Sequence, residues 1–177
     1  MKTIIFCDEI NYVTIHELIK NIEIINASEE LIGHTYIRKI YFSTSGGLIS
    51  AGNILIDYIN NNTNFSFIFI ATDQLISTGF EIFTKLNCSK KILQDTFGII
   101  HAITKNKSEK ENRCTIGNEH VQTHLTKTLE TDIKNQINHY REIGIKETDI
   151  KKILSGEHIF INNEELLKII ENIRPSK

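Results

Sequence analysis

Cysteine is scarce in this chain: there are three, Cys7, Cys88 and Cys114, and no two share a CxxC spacing. An odd count without metal-ligand spacing argues against a disulfide framework or a structural zinc site and leaves buried or inert thiols. Proline is scarcer still, at Pro175 alone, which together with abundant Ile and Asn reads as compositional bias and not as a functional signal. Charge of one sign is not in excess, since 20 Lys and Arg stand against 22 Asp and Glu. Without a basic stripe nothing concentrates a phosphate backbone or an anionic bilayer, so neither nucleic acid nor a membrane is an expected partner. Long apolar runs are missing too. The opening MKTIIFCDEINY has one Lys and a few apolar residues before Asp8 and Glu9, too short for a signal peptide or a spanning helix, and a cytoplasmic protein is expected. What is present, 177 residues with 40% hydrophobic and 24% charged, suits one compact domain over 1–177 that can bury a core. No internal repeat or low-complexity linker divides it.

Short β-type and helical segments alternate along the chain. Residues 3–7 predict a strand, and Ile15, Leu18, Ile19, Ile22 and Ile25 recur at helical spacing behind a Thr14 cap with Glu17 at the capping-box position. Residues 37–43 predict a second strand, followed by the small-residue turn TSGG and a helix over 48–60 with Ala51, Ile54, Leu55 and Tyr58 on its buried side. FSFIFIA at 65–71 is a near-continuous apolar strand of the kind buried on both faces of a parallel sheet. A helix over about 77–86 and the short strands in KKILQ and FGIIHAI come next. This alternation predicts an α/β domain with right-handed crossovers. The polar run KNKSEKENR at 105–113 predicts a solvated loop. In the helix beyond it Val121, Leu125, Leu129, Ile133, Ile137 and Tyr140 form one narrow apolar stripe. A stripe so narrow on a helix so long calls for a partner surface, with core packing as the alternative. His120 and His124 lie four apart on that helix, but no third ligand accompanies them, so a solvated face and no metal are expected. A helix ending at Gly156, the strand HIFI and a last helix from Asn162 or Asn163 complete the chain.

Two segments sit where a strand runs into a helix, the place where open α/β sheets bind ligands. In the first, Ser45, Gly46 and Gly47 precede a helix, and adjacent glycines permit positive φ and close approach to exposed N–H groups. In the second, Ser77, Thr78 and Gly79 open a helix, where unpaired N–H donors and the positive end of the dipole stabilise developing negative charge. His101 ends a strand and could serve from there as a general base. Singly, these are a turn, an N-cap and a polar residue; their combination and order carry the information.

That combination resembles the Clp protease proteolytic subunits within the ClpP/crotonase fold. IYFSTSGGLISAGNILIDYI is similar to the family's strand, Ser-Pro-Gly-Gly turn and helix with an Ala-Gly pair. FIFIATDQLISTGFEIF is similar to its strand and nucleophile turn, with Ser77 on the serine, and TFGIIH to the strand that delivers the histidine, His101. The resemblance implies a repeated β-β-α spiral with a long protruding handle helix in the region 105–145. It also implies serine endopeptidase chemistry without a cofactor. Ser77 would be the nucleophile, His101 the general base, and the N–H groups of Gly47 and Thr78, beside Gly46, the oxyanion hole.

Where the family has its triad Asp this chain has His158, with Glu157 and Asp149 as nearby carboxylates. Ser45 replaces the family's proline, and Leu75 and Ile76 replace small residues before the nucleophile. Peptides or unfolded proteins would be substrates, and a ring-like homo-oligomer the assembly. Family members that work with an AAA+ unfoldase carry an extra N-terminal segment; this chain enters its first strand almost at Met1, so a Clp ATPase partner is not expected. Two other functions stay open: a catalytically impaired subunit acting through assembly, and a crotonase-type acyl-CoA enzyme in which paired N–H groups polarise a thioester. The lack of a basic CoA-binding region weighs against the second.

Overall fold

The structure, a computed structural model, describes residues 3–29, 37–62, 65–103 and 119–173. These fall into two compact units, Met1–Ile100 with Phe160–Lys177, and His101–Ile159. In the first unit, strand β1 (Thr3–Cys7) alternates with period two, burying Ile4 and Phe6 and exposing Ile5 and Cys7. It pairs in parallel with β2 (Ile37–Thr44), which pairs in parallel with β3 (Ser66–Ile76). Phe6, Phe42 and Phe69 form a run of aromatic contacts on the buried face, with ring centroids 5.3 and 5.8 Å apart. Parallel neighbours need crossover connections, which α1 (Tyr12–Glu29) and α2 (Ile49–Asn61) supply.

Helix α1 begins earlier than the Thr14 cap predicted. Asn11 Oδ1 accepts the N–H groups of Val13 and Thr14 at 2.9 and 3.0 Å, while the Thr14 hydroxyl turns back to the Glu9 carbonyl. In α2 the buried residues are Ala51, Gly52, Leu55 and Ile59; Ile54, expected inside, is exposed. The face is rotated because α2 packs closely on α3 (Thr78–Lys85): a Cβ on Gly52 would lie 2.8 Å from Thr78 Cγ2.

Strand β3 is also longer than its apolar run and changes partners midway. Ile68–Ala71 pairs with β4 (Ser89–Ile92), and Gln74–Ile76 with β5 (Phe97–Ile100), both in parallel. Between the pairs Phe42↔Ala71 and Thr44↔Leu75, β3 holds two more residues than β2, a bulge that bends the strand before its last turn. The sheet runs β1-β2-β3-β5-β6, with β4 on β3 and β6 at Ile159–Ile161. After β6, Asn162 caps the last helix with a complete capping box to Glu165.

The second unit contains α4 (Glu119–Glu142) and α5 (Glu147–Leu154), which pack on each other; the last helix is α6 (Asn163–Asn172) of the first unit. The mixed α/β fold therefore has a six-stranded sheet and six helices among the described residues. Part of the stripe on α4 is core: Ile137 and Tyr140 are buried, as are Ile143, Ile150 and Ile153, whereas Leu129 and Ile133 are only half-buried. The side chains of Val121, Leu125, His120 and His124, the loop 105–113 and Cys114 lie outside the described residues. None of the helices among the described residues is long and apolar enough to cross a membrane.

Candidate active site

The two strand-to-helix turns of the first unit lie against each other. At the end of β2, Thr44 Oγ1 accepts the N–H of Gly46 at 3.1 Å. The Gly46 carbonyl accepts from Ile10 N–H, and Leu48 N–H donates to the Ile10 carbonyl, both at 2.7 Å. The N–H of Gly47, between them, has no acceptor among the described residues. Gly46 and Gly47 have φ of +96° and +141°. A Cβ on Gly47 would stand 2.1 Å from the Ile10 oxygen, and one on Gly46 2.8 Å from the Ile76 oxygen, so only glycine fits.

Ser77 stands where β3 becomes α3, at φ 53° and ψ −118°. That backbone is the one a type II′ turn requires at its first central position, where glycine is the usual occupant. It is held by the sheet: Ser77 N–H donates to the Ile99 carbonyl of β5 at 2.8 Å, and the Ser77 carbonyl accepts from Phe80 and Glu81. The hydroxyl, which a serine at a helix start ordinarily uses as an N-cap, makes no capping bond. The N–H groups of Thr78 and Gly79 in the first turn of α3 have no acceptor among the described residues.

One contact escaped the sequence reasoning. Thr78 Oγ1–H donates to the Gly47 carbonyl at 2.8 Å, tying the residue after Ser77 to the glycine turn. The only hint in the sequence is a β-hydroxyl residue beside the serine. Next to the first turn is a polar crevice of about 190 Å³ at the carboxyl ends of β1 to β3, lined by Asp8, Glu9, Ser43, Ser45 and Gln74 among others.

His101 and His158 belong to the second unit, one residue beyond β5 and one residue before β6. Their rings stack, with centroids 4.9 Å apart and planes 21° from parallel. Stacked in this way, the His158 ring does not offer a lone pair to the His101 Nδ1–H. A ring accepts through an in-plane lone pair, and stacked rings point those lone pairs past each other. The partner of His101 Nδ1 is the Ala102 carbonyl at 2.7 Å. A carbonyl can only accept, so Nδ1 carries a proton; in the neutral ring Nε2 then holds the lone pair, the tautomer a general base needs. The two candidate carboxylates have other partners: Glu157 accepts from Ser155 Oγ at 3.2 Å, and Asp149 lies 3.7 Å from Lys152 Nζ.

The structure therefore brings Ser77, Thr78, Gly46 and Gly47 together in one unit, and His101 with His158 in the other. A parallel α/β sheet with a serine at positive φ on one strand-to-helix turn and adjacent glycines on the turn beside it defines the class of fold. Among solved structures, a point mutant of ClpP1 from Listeria monocytogenes is similar to this chain, with a TM-score of 0.67 and 16% identity over 97% of this chain and 88% of that one. The fold is ClpP-like. No family profile and no curated protein sequence matches the chain.

Proposed function

We propose that this chain is a ClpP-like serine endopeptidase. The observation that carries the reading is Ser77: a non-glycine residue held at φ 53° on a strand-to-helix turn, with its hydroxyl unused as a cap. Nucleophilic serines are presented in this way, because the sharp turn exposes Oγ beside the unpaired N–H groups of the helix start. In the reaction, Ser77 Oγ attacks the carbonyl carbon of the scissile peptide and His101 Nε2 takes its proton. The N–H groups of Gly47 and Thr78 hold the oxyanion, and His101 returns the proton to the leaving amine. Water then cleaves the acyl-enzyme by the same proton transfers. Each oxyanion donor is worth roughly a hundredfold in rate.

A fluorophosphonate probe tests the reading. It should label Ser77 and spare Ser43, Ser45 and Ser50, with labelling abolished in Ser77→Ala and in His101→Ala. Folded wild type that takes no label at any pH would overturn it. The second reading, an impaired subunit acting through assembly, is favoured by one observation: the family's carboxylate position holds His158, stacked on His101 and offering no fixed negative charge.

In the same proposal the enzyme is a cytoplasmic, ring-like homo-oligomer acting on peptides or unfolded proteins. It works as one functional domain over 1–177. The half-buried Leu129 and Ile133 on α4 support an interface there, and a monomer in sedimentation would refute it.

A further inference from the structure

We propose that Gln136 is the positioning residue for His101, clamping the peptide whose carbonyl sets the imidazole tautomer; the proposal rests on His101 being the general base. Gln136 lies on α4, 3% exposed. Its side-chain Oε1 accepts the N–H of Ile103 at 3.1 Å, and its Nε2 donates to the carbonyl of His101 at 3.2 Å. The amide thus pairs with the backbone on both sides of Ala102, as a peptide group of a neighbouring strand would. Nε2 also donates to Tyr140 Oη at 3.1 Å, one helical turn on. A flipped amide would set oxygen against the His101 carbonyl and NH2 against the Ile103 N–H, so both backbone contacts determine its orientation.

The planarity of the peptide bond gives this clamp its effect. The Ala102 carbonyl and the Ile103 N–H belong to one peptide plane and point in opposite directions. Fixing the N–H on Gln136 therefore fixes the carbonyl on the other side, where it meets His101 Nδ1 at 2.7 Å. A carbonyl adjacent in the chain is a poor anchor when its peptide can rotate, and the buried amide removes that rotation. In this protein a side-chain amide and a backbone carbonyl together do the orienting work that a triad carboxylate does elsewhere. The His158 ring limits the His101 imidazole from its face.

Long-range proton–nitrogen NMR on nitrogen-15-labelled protein reads the His101 tautomer directly and needs no activity. Wild type should show the Nδ1–H form; an Nε2–H form in wild type overturns the proposal. Gln136→Met, similar in length but without amide bonds, should bring a major share of the Nε2–H form and slow fluorophosphonate labelling of Ser77 by about tenfold or more. Gln136→Glu, which keeps an oxygen for the Ile103 N–H, should restore the Nδ1–H form. Folded Gln136→Met with the wild-type tautomer overturns the clamp, as does Gln136→Glu behaving like Gln136→Met. Wild type that shows the Nδ1–H form yet never labels at Ser77 overturns the peptidase reading and not the clamp.

Discussion

Replacing Ser77 by glycine should make the protein more stable than wild type while removing its nucleophile. A side chain at φ 53°, ψ −118° is in a sparsely populated backbone region, and such residues cost about 1–3 kcal/mol each. Glycine accepts that conformation without strain, but its freer unfolded chain returns up to about 1 kcal/mol to the unfolded state. Taking a mid-range strain of about 2 kcal/mol less about 0.5–1 kcal/mol for the unfolded chain, the net gain is about 1–1.5 kcal/mol, which for a chain of this size is a rise of about 2–6 °C in Tm. Ser77→Ala keeps the Cβ, hence the strain, and should stay near wild type. An ordinary N-cap predicts the opposite sign against wild type, since losing the cap costs a few tenths of a kcal/mol in the glycine variant and about 1 in the alanine variant. Thermal and urea unfolding of the three proteins by circular dichroism decides between them. Ser77→Gly at or below wild-type stability would refute the argument that the fold holds this serine under strain.

Gly47→Ala should destabilise by more than about 2 kcal/mol, because its Cβ would meet the Ile10 oxygen at 2.1 Å. Gly156→Ala, also at positive φ but with nothing within 4 Å, should cost only about 1 kcal/mol, and urea unfolding compares the two. Thr78→Val removes the donor to the Gly47 carbonyl and should cost about 1 kcal/mol. It should also slow probe labelling of Ser77 about tenfold, by loosening the turn that presents the Gly47 N–H; an unchanged labelling rate would separate this tether from the oxyanion site. Burial pushes the Cys88 thiol up to about 11, so alkylation near pH 8 should modify exposed Cys7 and spare Cys88, as read by peptide mass spectrometry. The native state holds that proton more tightly than the unfolded chain. Its stabilising effect is therefore complete below the ordinary thiol value of 9.0 and is lost as pH rises towards about 11.

Sequence alone determined the periodic elements. Alternation in TIIFC, the Ile spacing of α1 and the Asn162–Glu165 box all act through neighbours a few residues away, so their outcome is local. The same holds for the adjacent glycines after β2, which announce a turn that no other residue could make. Tertiary structure decided the rest. Thr72, Asp73 and Gln74 do not read as strand, yet β3 runs through them because β5 takes over the pairing where β4 ends. That pairing, through the Ile99 carbonyl, helps hold Ser77 in a backbone conformation its own side chain disfavours. Residue types, by resemblance, put His158 where Clp peptidases have a carboxylate and left its geometry to His101 open. The structure stacked the rings and gave the Nδ1–H to Ala102, held by Gln136 some 35 positions along the chain. Hydrogen bonds between residues so far apart depend on where the packed elements put them, which no local pattern encodes.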